Sequence, residues 1–245
     1  MPICDKGDKK EAALFSAADF LAAKNIKFPL PKTVIMAPCV NLGAAVCSSG
    51  GKTYKLMSDI DIINDDLAIM HNFALGAPLC VILAEMAAAL GAENFILIGS
   101  AGALNENLTF GDRVLCRGAF CDEGTGRHYF DGEYISADKM PVLSVLPVKA
   151  EGDTWTTDAL FMETSSAAAY YAEKGCLTVD MEASALFAFA KARGLKAAAM
   201  FVISDLLFGG QWRPAKKNAQ TVKALRALAE EIIKKSSKNS SPENF

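Results

Sequence analysis

Residues 76–102, GAPLCVILAEMAAALGAENFILIGSAG, decide the fold class. Pro78 stands near the start of an Ala-, Leu- and Met-rich stretch that runs to Leu90, and Gly91 follows its end. Proline in the first turn and glycine just past the last are helix punctuation. Asn94-Phe95-Ile96-Leu97-Ile98 is a short apolar run suited to a buried strand. It leads into Gly99-Ser100-Ala101-Gly102, read as a small-residue loop. Helix, strand and tight glycine loop in that order is α/β grammar, and ligands in such folds sit beyond the carboxyl ends of strands.

The unit recurs towards the C-terminus. Val179-Asp180-Met181-Glu182 leads into a predicted helix from Ala183 to Arg193, closed by Gly194. Ala197 to Ile203 then reads as a strand that ends at Ser204-Asp205. Upstream, Lys9 to Ala23 has the spacing of an amphipathic helix, and Thr33 to Ala37 is β-prone. Cys47 to Tyr54, with Ser48-Ser49-Gly50-Gly51, reads as a turn or loop. Residues 56–70 mix apolar and acidic residues without a clear period. The last predicted helix spans Lys217 to Lys235, with Leu225, Leu228, Ile232 and Ile233 on one side. Ser236 to Phe245 reads as a frayed polar tail. No internal boundary is evident, so residues 1–245 are expected to form one domain.

Composition narrows the class. The chain has 245 residues, 51% of them apolar, and a net charge of -3. A mean hydropathy of +0.20 is high for a chain with no apolar run long enough to span a bilayer. The excess implies a wide core or a buried subunit interface. The slight negative charge gives no reason to expect a nucleic-acid polymer as partner. Seven cysteines at irregular spacing, several in apolar runs, read as buried thiols of a reducing compartment. They support neither a disulfide framework nor a metal site. With no signal-peptide pattern at Met1-Pro2-Ile3-Cys4, a cytoplasmic location is expected.

Four constellations could carry chemistry, and each has a plainer structural explanation. Gly99-Ser100-Ala101-Gly102 could bring backbone N–H groups and a hydroxyl to an anion, or simply make a tight turn. Asp122-Glu123-Gly124-Thr125-Gly126-Arg127-His128-Tyr129 packs ionisable and aromatic side chains onto one loop, as a binding segment or a solvated hairpin turn would. Asp180-Met181-Glu182 could take two sugar hydroxyls on a carboxylate, or complement a helix N-terminus. Asp205 after Ser204 could donate a proton to a leaving base, or cap the following turn.

Together these stretches resemble the nucleoside phosphorylase/nucleosidase family. Val179-Asp180-Met181-Glu182-Ala183-Ser184-Ala185, then Gly194 and Ile203-Ser204-Asp205, carry one match. Gly76-Ala77-Pro78 through Gly99-Ser100-Ala101-Gly102 to Gly111-Asp112 carries a second, in the right order. The resemblance implies an α/β fold whose central mixed sheet is partly curled into a barrel and flanked by helices. It implies that Glu182 binds the ribose 2′- and 3′-hydroxyls above Met181, that Asp205 serves the base, and that Gly99 and Ser100 face phosphate or water. Val179, Phe161 and Ser204, with Arg127, His128 and Tyr129, would line the base or sugar pocket. The implied substrate is a small-molecule nucleoside, purine favoured over uridine, with inorganic phosphate as co-substrate and no cofactor or metal. The implied assembly is a homodimer, or a hexamer built as a trimer of dimers.

Several positions depart from the family pattern. Leu97 stands where phosphorylases carry a phosphate-gripping Arg, and the N-terminal Gly-Asp-Pro segment with its nearby Arg is absent. Met162-Glu163-Thr164 replaces an Arg-Glu-Thr. Arg127 or Arg113 would have to supply the missing cation. The readings therefore include a phosphorylase with a rearranged phosphate site, a nucleosidase that uses water, and a silent nucleoside-binding relative. A dinucleotide-binding enzyme is excluded by the lack of GxGxxG after the first strand. A Cys121 nucleophile with His128 as base is a further, unrelated possibility.

Overall fold

β5 (Asn94–Ala103) is the strand on which the fold turns. Its neighbours on one side are β1 (Thr33–Pro38), then β4 (Leu67–Phe73), β3 (Asp59–Ile62) and β2 (Thr53–Lys55). On the other side its length is shared between β10 (Lys196–Leu206) and β9 (Cys176–Asp180). β10 pairs with β6 (Arg113–Asp122), β6 with β8 (Ala150–Thr157), and β8 with β9, so these five strands close a barrel within the larger sheet. β5 is parallel to β1 and β10 and antiparallel to β9, which makes the sheet mixed. Short strands β7 (Tyr134–Ser136) and β11 (Arg213–Pro214) extend β6 and β10. The computed structural model describes residues 13–42, 52–215 and 218–239.

Six helices flank the sheet among the described residues: α1 (Ala17–Ala23), α2 (Ala77–Ala89), α3 (Pro141–Ser144), α4 (Ser165–Glu173), α5 (Ala183–Arg193) and α6 (Asn218–Asn239). The period of two along β5 assigns its faces. Phe95 and Leu97 pack with α2 and α5, whereas Ile96 and Ile98 pack with Leu225, Leu228 and Ile232 of α6. Both faces are covered, which is why β5 reads as a continuous apolar run. Leu97, fully buried, is therefore a core residue beneath α2 and α5.

Several expectations need correction. Gly99-Ser100-Ala101-Gly102 is not a loop: β5 continues through it, paired with Phe201, Val202, Ile203 and Asp205 of β10. Its small residues serve close packing in the barrel rather than a turn. A side chain on Gly102 would overlap Leu207 and lie 3.0 Å from Val179 Cγ1. Residues 56–70 hold β3 and the start of β4; the acidic pattern hid them because buried Asp61 on β3 is paired with His71 on β4 at 2.7 Å. Helix α1 begins at Ala17, since Ser16 and Asp19 form a reciprocal capping box. The N-terminal part of the expected helix, residues 9–12, lies outside the described residues.

Tyr54 ends no loop but sits in β2, and residues 47–51 are outside the described set. At the other end α6 runs on to Asn239, into the segment read as a tail. Ser237 Oγ donates to Ile233 O at 3.0 Å, a bond within the helix that tolerates a polar outer face. Residues 240–245 are outside the described set. Among the described residues no helix is long and apolar enough to cross a membrane. Four of the described cysteines, Cys80, Cys116, Cys121 and Cys176, are buried and free, while Cys39 is exposed and free.

Candidate active site

A cavity of about 630 Å³ opens where β5, β9 and β10 end together. Its wall includes Ser100 and Gly102 of β5, Val179 and Asp180 of β9, and Ser204 and Asp205 of β10. Met181 and Glu182 follow β9 directly, so they reach the same space before α5 begins. The rim is closed by Cys39 after β1, by Leu160, Phe161 and Glu163 after β8, and by Trp212 and Thr221 beyond β10.

The Asp180-Met181-Glu182 turn divides two functions between its carboxylates. Buried Asp180 does structural work. Its Oδ1 accepts from Thr156 at 2.7 Å and Thr154 at 3.2 Å, and its Oδ2 accepts from the N–H groups of Glu182 at 2.9 Å and Ala183 at 2.7 Å. It thus satisfies the exposed amides at the start of α5, the capping role that the sequence left open. Glu182 turns the other way, into the cavity. Gly76 N–H donates to its Oε1 at 2.6 Å, and Gly76 reaches it from a φ of +113° that L side chains rarely adopt. Burial, and then the Asp180 carboxylate beside it, push Glu182 up to about 7. One Glu182 oxygen is thereby held by the protein while the carboxylate faces the cavity.

Asp205 owes its position to an irregularity. The register of β10 against β5 shifts between Ile203 and Asp205, so Ser204 is an extra residue in the strand. A bulge of this kind re-aims the side chains around it. Asp205 lies opposite Gly102, and its Oδ2 is 3.3 Å from where a Gly102 side chain would begin. Ser204 Oγ donates to Oδ1 at 2.7 Å, and Trp212 Nε1 donates to Oδ2 at 3.0 Å. Across from it, half-buried Glu163 is raised to about 7, by burial first and by the Asp205 charge second.

The structure brings together Ser100, Phe161, Val179, Met181, Glu182, Ser204 and Asp205. It does not bring the rest. Gly99 pairs with Phe201 inside the barrel and does not line the cavity. Arg127, His128 and Tyr129 do not line it either, because their segment folds back against α5. Buried Glu123 holds that segment: it accepts from Gly126 N–H at 2.8 Å and from Ser184 Oγ at 3.0 Å. Arg127 donates to Cys121 O at 3.2 Å, and Tyr129 donates to Glu85 at 3.0 Å. Arg113, the other candidate cation, forms a two-pronged pair with Glu231 of α6. The Cys121 thiol is buried and pushed up to about 11, which leaves no thiolate for nucleophilic chemistry.

Sequence reasoning passed over Cys39, Leu160, Glu163, Trp212 and Thr221 as site residues. Two of them carried a local signal: Glu163 within Met162-Glu163-Thr164, and Trp212 after Gly209-Gly210 and seven positions beyond Asp205. The others come from the segment after β1, the turn after β8 and the first turns of α6, which only the fold gathers. Among the described residues no cluster of His, Cys, Asp and Glu is arranged to hold a metal ion.

Known proteins share this architecture. The uridine phosphorylase of Vibrio fischeri superposes with a TM-score of 0.71 at 22% identity, covering 85% of this chain and 92% of that one. The purine nucleoside phosphorylase of Toxoplasma gondii superposes with a TM-score of 0.66 at 20% identity, covering 86% and 91%. In sequence, the guanosine phosphorylase of Halorubrum lacusprofundi is 28% identical over 177 residues, 69% of this chain and 73% of that protein. A DeoD-type purine nucleoside phosphorylase of Clostridium novyi is 26% identical over 173 residues, 64% of this chain and 72% of that protein. Residues 67–236, which contain all the strands of the barrel, match the family model of the phosphorylase superfamily. The chain belongs to the phosphorylase superfamily.

Proposed function

We propose that this protein is a nucleoside phosphorylase, a pentosyltransferase that cleaves the N-glycosidic bond of a purine nucleoside with inorganic phosphate as acceptor. The observation that carries the reading is the opposition of Glu182 and Asp205 across one cavity, each set by its own structural device. Breaking the C1′–N bond leaves positive charge on the sugar and negative charge on the base. A site that holds both with groups fixed in advance lowers the barrier most. Glu182, anchored by Gly76, accepts the ribose 2′- and 3′-hydroxyls, with Met181 against the sugar. Asp205, oriented by Ser204 and Trp212, donates to the five-membered ring of the base. Val179 and Phe161 supply apolar walls, and Ser100 faces the acceptor. No cofactor enters this scheme. A single domain, a homodimer or a hexamer built as a trimer of dimers, and a cytoplasmic location belong to the same reading.

One observation favours a second acceptor. No Lys, Arg or His is among the described residues that line the cavity, and Leu97 is core. A phosphate dianion gains much of its grip from guanidinium or ammonium groups, whereas water needs none. Base release from a panel of purine and pyrimidine nucleosides, with and without phosphate, separates the two. Phosphate-dependent release with sugar 1-phosphate as product supports phosphorolysis. Equal release without phosphate makes the enzyme a nucleosidase, and binding without release makes it a silent relative.

A further inference from the structure

Glu163 is left without a role by the scheme above. It lies in the cavity wall immediately after a tight turn over Leu160–Met162, and no hydrogen bond to its carboxylate is formed among the described residues. Its electrostatic neighbour is Asp205, which Ser204 and Trp212 hold in place through one oxygen each. Two aromatic rings share this wall, Phe161 at 98% exposure and Trp212 at 67%. Two carboxylates in one wall, with open ring faces beside them and no cation among the described lining residues, form an environment that attracts positive charge. The ribose end of the cavity is already occupied by Glu182 and Met181, so the charge has to come from the base.

We propose that Glu163 is a specificity-determining residue that makes this site select nucleosides whose base carries a fixed positive charge, such as N7-alkylated purine nucleosides, over their neutral counterparts. The inference rests on the glycosidic-bond-cleaving reading above. Its chemistry balances without an added proton. The C1′–N bond breaks with its electron pair going to the ring nitrogen, and the base leaves neutral. The acceptor oxygen bonds to C1′, and water, if it is the acceptor, gives its proton to solvent. The positive charge that Glu163 faces in the ground state is then gone from the product, which favours release of the base.

The test compares 7-methylguanosine with guanosine in the wild type, Glu163→Gln and Glu163→Asp. The methylated nucleoside is intrinsically more reactive, so the informative quantity is the change in the ratio of their kcat/KM values, in which that reactivity cancels. The ratio is expected to fall about tenfold in Glu163→Gln, the effect of one partly exposed charge pair, and to be largely kept in Glu163→Asp. Calorimetric binding of the same two nucleosides should show the same loss of preference. An unchanged ratio in Glu163→Gln, with both nucleosides cleaved, overturns the assignment of Glu163 and leaves the reaction standing. Cleavage of neither by the wild type overturns the reaction. In that case calorimetry still decides on Glu163, since equal wild-type affinity for the two nucleosides overturns it.

Discussion

Replacing Glu182 by Gln should stabilise the protein while it disables the site, and the stabilisation should depend on pH. Glu182 is 6% exposed and its carboxyl is raised from 4.5 to about 7. Below pH 4.5 it is protonated whether the chain is folded or unfolded, so burial costs nothing. Between pH 4.5 and about 7 the unfolded chain has released the proton and the folded chain retains it, so stability falls as pH rises. Above about 7 the full cost is present. At about 1.4 kcal/mol per pH unit, the cost reaches about 3 kcal/mol at most. Gln keeps the size of Glu and the acceptor for Gly76 N–H but carries no charge.

Thermal unfolding of Glu182→Gln and wild type, followed by circular dichroism at pH 5 and pH 8, measures this directly. A chain of this length gains about 2–4 °C in Tm per kcal/mol. The variant should therefore melt about 6 °C or more above wild type at pH 8 and only slightly above it at pH 5. Its kcat/KM on a cleaved nucleoside should fall about 100-fold, because two charge-assisted hydrogen bonds to the sugar become neutral ones. An equal shift in Tm at both pH values would refute the argument that buried charge at Glu182 is what destabilises the fold.

Other perturbations separate the groups around it. Asp205→Asn should lower turnover on purine nucleosides about 10²- to 10³-fold with little change in Tm, read by steady-state base release; unchanged turnover removes Asp205 from the chemistry. Asp180→Ala strands the amides of Glu182 and Ala183 and two threonine hydroxyls, so urea denaturation should report a loss of about 3 kcal/mol. Gly102→Ala places a methyl against Leu207 and Val179 and close to Asp205 Oδ2. It should cost about 1–3 kcal/mol and lower activity together, because the strain falls on the strand that carries Asp205.

Local pattern carried the α/β class, the helix over Ala77–Ala89, the helix over Ala183–Arg193 with its Gly194 stop, and the strand that ends near Asp205. These elements are legible because apolar period, proline and glycine act over a few residues. The same pattern misjudged Gly99-Ser100-Ala101-Gly102. Glycine and serine signal a turn when read alone, but β9 and β10 pair along this segment from distant parts of the chain and keep it extended. Nor does local pattern foretell that Arg127-His128-Tyr129 lies away from this chain's own cavity, with contacts to α5, Cys121 and Glu85.

The sequence by itself singled out Glu182 and Asp205, each at a strand-to-helix or strand-to-loop junction with recognisable neighbours, and the fold sets both in the wall of one cavity. Only the tertiary structure decided how they are used. Gly76, 106 positions away in the chain, holds Glu182, and a bulge at Ser204 aims Asp205. Glu163 and Trp212 join them from loops with no shared local signal. Periodicity reports on neighbours along the chain, whereas a cavity is defined by groups that meet across it. Its charge balance, acidic and without a cation among the described lining residues, appears only once the strands of the barrel have closed.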